Sequence, residues 1–291
     1  MTRRSSIAIA LLISCAARAS ESTGTLEEPG PAPSDVIEER VLDSVHRLYG
    51  GTSRVIARLP LTEPLMTRSR WELVVTKGTD IAADFGDENP TTICFVHNGN
   101  PECTERALFP IANPSVDPKG RLFYAFGGAR VVNAASGRSP PMLMITARSL
   151  AGGNGNCGIY TLLFDYDRSS EQLRLIFHDA VPRNNNGATR FMEKGPLQGD
   201  VISVTPTNNA PYGYFVSVFS QDATGRYVRI LRYRSKTHYN DGNRLAVADS
   251  DMPELLRRLG LWKSTDPLPA PTVMPNDCRK LVLRRGEEWC E

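Results

Sequence analysis

Long apolar runs, surplus charge and histidine are all scarce in this chain. Its longest early apolar stretch, Ile7 to Ile13, falls far short of the ~20 residues a membrane-spanning helix needs, and no later stretch reaches that length. Basic and acidic residues nearly balance, 34 against 32. Nucleic acid is bound through clustered basic charge, so no nucleic-acid partner is expected. The only histidines are His46, His97, His178 and His238, which leaves few candidate general bases. There is no P-loop, Gly-x-Ser-x-Gly elbow, His-Glu-x-x-His helix or Cys-x-x-Cys pair. These absences exclude the commonest cofactor and zinc enzymes, and neither a cofactor nor a metal is expected.

What is present begins with an export signal. Arg3 and Arg4 precede the apolar run, and small residues follow it, the order of a signal peptide. Leu12-Ile13-Ser14-Cys15 resembles the bacterial lipobox, in which the cysteine becomes the lipidated first residue of the mature chain. Ala17-Arg18-Ala19 offers a plain signal-peptidase site as the competing reading. The lipobox implies a membrane partner through a lipid on Cys15. Ala16 stands where an aspartate would imply inner-membrane retention, so the resemblance implies an outer-membrane lipoprotein; plain cleavage would leave a periplasmic protein. Loss of Arg3 and Arg4 brings the mature balance to 32 basic and 32 acidic residues.

Six cysteines in an exported chain read as disulfides. Asn98-Gly99 is a type I′ hairpin signal. A two-residue loop there pairs His97 with Asn100, Val96 with Pro101, Phe95 with Glu102 and Cys94 with Cys103. The cysteine pair falls at a closely spaced position suited to a bridge. Cys278 and Cys290 would close a second hairpin around Arg284-Arg285-Gly286. With Cys15 used by the lipid, Cys157 is left as the odd thiol.

The chain divides into a leader with its lipobox (1–15), a disordered tether (16–35) rich in Ser, Glu, Gly and Pro, and one mainly β domain (36–291). A helix is expected over Asp35 to Tyr49, with Val36, Val41, Leu42, Val45 and Leu48 as its stripe and Gly50-Gly51 as its stop. Short apolar or alternating runs then predict strands at Val55–Leu59, Trp71–Thr76, Thr92–Val96, Leu122–Phe126 and Met142–Arg148. Five more follow at Ile159–Tyr166, Leu173–His178, Val201–Thr205, Tyr214–Phe219 and Tyr227–Arg234. A further helix, capped by Ser250 or Asp251 and ended by Gly260, carries Leu255, Leu256 and Leu259. The expected fold is a single antiparallel β domain, a sandwich or barrel, with an N-terminal and a C-terminal helix. Phe164 to His178 aligns with Phe219 to Tyr233 at an offset of 55, and this repeat supports a small propeller-like alternative.

Two sets of residues are candidates for function. The segment Asn156-Cys157-Gly158-Ile159-Tyr160 resembles the nucleophile segment of papain-like cysteine proteases of the deubiquitinase-like type. That likeness implies an envelope hydrolase with Cys157 activated by His178 or His238, although the residues after Cys157 read as a strand where that family has a helix. Asp165, Asp167, Ser169 and Glu171 alternate like a calcium loop but lack its glycine and terminal bidentate Glu, so they read as a solvated turn. Asn-rich loops could gather Arg183, Arg190, Tyr212, Tyr214, Arg234, His238, Tyr239 and Asp241 into a polar recognition face for an envelope protein or a glycan. The expected function is therefore a non-enzymatic binding module of the cell envelope. The alternatives are the cysteine hydrolase and an inhibitor or immunity-type protein that blocks a partner enzyme. Mass spectrometry of the unreduced mature protein should find a lipidated Cys15, two local bridges and one free thiol at Cys157. An unmodified chain beginning after Ala19 would replace lipidation with plain cleavage.

Overall fold

Many strands of this chain are apolar on both sides, so each sheet needs two partners. The computed structural model describes residues 33–79, 91–103, 123–133, 140–149, 157–182, 187–207, 213–237 and 242–291. Three four-stranded antiparallel meanders follow one another along the chain. The first is β1 (Ser53–Pro60), β2 (Trp71–Gly78), β3 (Thr91–His97) and β4 (Asn100–Cys103). The second is β5 (Ala125–Val132), β6 (Met142–Arg148), β7 (Gly158–Asp167) and β8 (Gln172–Pro182). The third is β9 (Ala188–Phe191), β10 (Val201–Pro206), β11 (Tyr214–Gln221) and β12 (Tyr227–Ser235).

Strand alternation sends successive side chains into different cores. On β3, Ile93 and Phe95 join Leu143, Ile145, Leu162 and Phe164 of the second sheet. Their neighbours Cys94 and Val96 pack instead on helix α1 (Pro33–Tyr49). Leu163 and Met142 leave the second sheet on its other face and meet Phe191 and Val201 of the third. From the third sheet, Ile202, Val204 and Val216 pack on Met252, Leu255 and Leu256. The molecule is thus a stack of α1, three sheets and a helical layer. None of the three sheets closes on itself among the described strands, which corrects the barrel expectation, and the layers exceed the two of a sandwich.

The repeated hairpins occupy equivalent places, β7–β8 in the second sheet and β11–β12 in the third. Both carry a register shift, at Leu163/Phe164 and at Val218/Phe219. Their turns are built alike. Asp167 accepts from the Ser169 amide at 2.8 Å, and Asp222 accepts from the Thr224 amide at 2.8 Å. Each carboxylate is held below its usual range, Asp167 at about 2, first by the hydroxyl of Ser169 or Thr224. The repeat is an Asx-type turn and a bulge in corresponding hairpins.

The disulfide register is as the sequence predicts. Cys94 faces Cys103 and His97 faces Asn100, with Asn98 and Gly99 both at positive φ. Cys278–Cys290 closes the hairpin of β13 (Leu281–Arg284) and β14 (Glu287–Cys290). Two disulfides point to an oxidising compartment, and among the described residues no helix is long and apolar enough to cross a membrane.

Several expectations need correction. The buried stripe of α1 is Ile37, Val41 and Val45, whereas Leu48 is exposed. The strand expected at Leu122–Phe126 is instead β5, which begins at Ala125 and continues to Val132 through a bulge at Gly127-Gly128. A Cβ on Gly127 would lie 2.8 Å from the Thr146 hydroxyl, so glycine there permits close strand approach. The expected second helix is α3 (Met252–Arg258); an unexpected one-turn α2 (Val247–Ser250) precedes it, and the element at the C-terminal end of the domain is the hairpin, not a helix. Asp251 holds the N-cap position of α3 without a side-chain cap bond. Its buried carboxylate instead accepts from Tyr233, from Ser235 at 2.5 Å and from Thr237 at 2.7 Å.

Phe164 is fully buried and meets Phe95 edge-on, with ring centroids 5.1 Å apart, between the first two sheets. Phe164→Ala should cost about 3–5 kcal/mol of stability, read as a lower urea midpoint. A loss below 1 kcal/mol would mean that the two sheets do not share this core.

Candidate functional site: a groove beside the third sheet

A cavity lies where the core between the second and third sheets meets the core under α3. It measures about 930 Å³, within the range of small-ligand sites. Arg130 of β5, Met144 of β6 and Phe191 of β9 form the sheet wall. Met192, Pro196 and Leu197 come from the loop after β9, and Met252 and Leu256 from α3. The remaining wall is an irregular strap containing Pro267, Pro269, Pro271 and Val273, with Leu261 and Trp262 at the lip.

Specific bonds hold these irregular walls in place. The loop after β9 closes through the Met192 amide to Asp200 O at 2.9 Å and the Gly199 amide to Met192 O at 2.7 Å. Gly195 and Gly199 supply the positive φ values it needs. Trp262 Nε1 donates to Pro267 O at 2.8 Å. At the other end of the strap, the Thr272 amide donates to Asp249 Oδ1 at 2.9 Å and its hydroxyl to the same oxygen at 2.5 Å. Arg190 Nη1 donates to Asp249 Oδ2 at 2.5 Å and also to Thr272. Asp249 is fully buried, so the Arg190 pair and the Thr272 bonds are what make its charge tolerable there.

Behind this cluster sits a second acid. Glu288 of β14 is fully buried, and neither carboxylate oxygen has a hydrogen-bond partner among the described residues. Its backbone carbonyl accepts from Asn243 Nδ2 at 2.9 Å, and the same amide nitrogen donates to Ser250 at 3.0 Å. Burial, with the Asp249 charge added, pushes the Glu288 carboxyl up to about 8. At neutral pH it is therefore largely a neutral acid, which is how an unpaired buried carboxyl is accommodated.

Among the described residues, the other sequence candidates do not come together. Of the proposed recognition face, Arg183, Tyr212, His238, Tyr239 and Asp241 lie outside the described residues. Arg190 points to Asp249. Tyr214 is buried under α3, and Arg234 pairs with Phe215, which puts it on the opposite face of the sheet. These three form no common surface.

Cys157 is buried just before β7. His178 is exposed and pairs with Leu162, five positions along the strand, or roughly 16 Å at ~3.3 Å per residue. That separation rules out a thiolate–imidazole hydrogen bond between them. Gly153 to Gly158 also have the Gly-x-Gly-x-x-Gly spacing, but Gly158 opens a strand rather than a phosphate-binding helix. His46 Nδ1 lies 2.8 Å from Gly51 O at the end of α1, and His97 stacks on Trp71 with centroids 4.4 Å apart. The would-be calcium ligands are engaged too, Asp165 by Arg174 at 2.6 Å and Asp167 by two serines.

Of the groove residues, sequence reasoning singled out only Arg190 as a site residue. The available signal was the conjunction of a Pro-rich stretch with Trp262 and the methionines, which reads locally as a linker. The chain matches no known protein family, and no curated protein or solved structure is similar to it.

Because the folded value of Glu288 is raised, the folded protein holds this proton more tightly than the unfolded chain. Its contribution is full below the ordinary carboxylate range and is lost as pH rises through about 8. Glu288→Gln should therefore flatten the fall in melting temperature between neutral and alkaline pH, and the variant should be the more stable protein above pH 8. An unchanged pH profile would show that Glu288 does not hold that proton.

Proposed function

We propose that this chain is a non-enzymatic binding module of the bacterial envelope, anchored to a membrane through a lipid on Cys15, and that it takes an apolar ligand in the groove beside the third sheet. The observation that carries this reading is the groove's construction. Methionine, proline and tryptophan side chains from four separate elements converge on one cavity of about 930 Å³. Leu261 and Val273 remain 49% and 64% exposed at its edge. Exposed large apolar residues gathered at a concave site mark a binding surface more than scattered ones do. Methionine adds a deformable lining that fits ligands of varied shape. The periplasm or outer membrane suits a disulfide-bonded, exported chain.

The same reading extends to the architecture. The three meanders behave as blades of an open, propeller-like stack, with corresponding hairpins in the second and third. Helices cover the two end faces that a closed ring would pair with each other.

A neutral apolar dye, N-phenyl-naphthylamine, tests the groove directly. It should gain fluorescence with the folded protein, and the double variant Leu261→Asp, Val273→Asp should weaken its binding by roughly ten-fold, about 1.4 kcal/mol. Cys157→Ser should bind as the wild type does. Undiminished dye binding in the double variant would move the ligand site elsewhere, and loss of binding in a folded Cys157→Ser protein would return the thiol to the centre of function.

A further inference from the structure

We infer that the groove's ligand is a monomeric single-chain amphiphile with an anionic head group, such as a fatty acid, whose chain lies along the apolar walls and whose head meets Arg130 and Lys194. This inference rests on the groove being the ligand site.

The polarity of the groove is graded. Met192, Leu197, Met252 and Leu256 are buried at its base. Arg130, Glu193 and Lys194 sit at its mouth and are exposed or partly so. Arg130 pairs with Glu193 across that mouth. Both partners are about half exposed, so the pair is weak and open to exchange for another anion. Lys194 forms no ion pair among the described residues, which leaves the mouth with one more positive than negative charge. Arg190 also lines the groove, but its guanidinium is committed to Asp249. An amphiphile with one negative head complements this arrangement, whereas a cationic or neutral head does not.

The strap and loop side of the groove favours a hydrocarbon chain over an extended peptide. A bound peptide strand gains its affinity from main-chain hydrogen bonds. Pro196, Pro267, Pro269 and Pro271 of the lining have no N–H to give. The Thr272 amide, between two of these positions and Val273, is already spent on Asp249. Methionines from β6, the loop and α3 instead offer soft apolar contact without polar demands.

The experiment uses the full chain with Cys15→Ser, which keeps the protein unlipidated in detergent-free buffer. It is titrated with a pyrene-labelled fatty acid below its micellar concentration and with the matching pyrene-labelled alcohol. The acid should bind roughly five-fold more tightly than the alcohol, the scale of one exposed ion pair, and unlabelled fatty acid should displace it. Lys194→Glu should erase that difference and leave alcohol binding unchanged. Equal affinity for acid and alcohol would overturn the anionic head while leaving an apolar groove in place. Failure of both probes to bind the folded protein would remove the groove reading itself. Binding to phosphatidylglycerol vesicles without binding of the monomeric acid would overturn the single-chain site in favour of a membrane-facing surface.

Discussion

Every layer of this protein depends on one constraint: the inner strands β2, β3, β7 and β10 are buried on both faces, so their sheets need cover on two sides. A half-buried antiparallel sheet alternates apolar and polar residues and needs one partner. Here Leu162 and Phe164 face one neighbour while Leu163, between them, faces another. The same holds for Cys94 between Ile93 and Phe95. The stack can therefore end only where something other than a sheet provides cover. At one end that cover is α1, whose Ile37, Val41 and Val45 meet Val74 and Val96. At the other it is α3 with the residues around it. Burial of each such aliphatic side chain contributes about 1.5–3 kcal/mol, so the end helices are part of the fold.

The polar groups inside the stack are concentrated at its helical end, where they hold irregular structure together. Asp249 and Asp251 are two residues apart and both buried, yet they serve different parts of the molecule. Asp249 joins β9 to the strap through Arg190 and Thr272. Asp251 joins the end of β12 to the start of α3 through Ser235 and Thr237. Neither connection is regular secondary structure, so each carboxylate replaces the repeating bonds that a strand or helix would supply. The C-terminal hairpin adds Glu288 to the same region, where burial, with the neighbouring Asp249 charge added, makes the neutral acid the favoured form. The Cys278–Cys290 bridge constrains the hairpin that carries this carboxyl, whose burial opposes ionisation.

Local features were legible in the sequence, and long-range ones were not. Asn98-Gly99, Pro101 and the two cysteines agree on one register, and β3–β4 has that register. Strand β6 occupies Met142–Arg148, the span its apolar run predicts. The offset of 55 between Phe164 and Phe219 reflects a real correspondence, down to the bulge and the Asp turn. The strand expected over Leu122–Phe126 lies in part beyond β5, which instead runs on through Gly127-Gly128 as a bulge to Val132. Ala188–Phe191 was missed because four residues carry too little periodicity. The count of layers was hidden for a different reason: an apolar run shows that a strand is buried but does not identify its neighbour. The groove suffers most from this, since Arg130, Met192, Leu256 and Val273 come from distant parts of the chain and only packing brings them together.

The groove's position follows from how unequally the two end faces are covered. Helix α1 has 17 residues and is about 25 Å long at 1.5 Å per residue. A four-stranded sheet is roughly 14 Å across, so α1 can span the first sheet. Helix α3 has seven residues and is about 10 Å long by the same rise, and α2 adds only one turn. The helical cover breaks at Asp251 between the two, and at β9 it is one turn of α2 that meets the sheet, through Asp249 and Arg190. The strap from Pro267 to Val273 lines the groove beside that edge. Its prolines, however, cannot donate to the open edge of β9, and its described anchors are Trp262 at one end and Asp249 at the other. A segment tethered at both ends and unable to pair with the strand below leaves a gap over apolar surface. Of the two end sheets, the one under the shorter helices thus has the groove beside it, and the loop after β9 places Glu193 and Lys194 at its mouth.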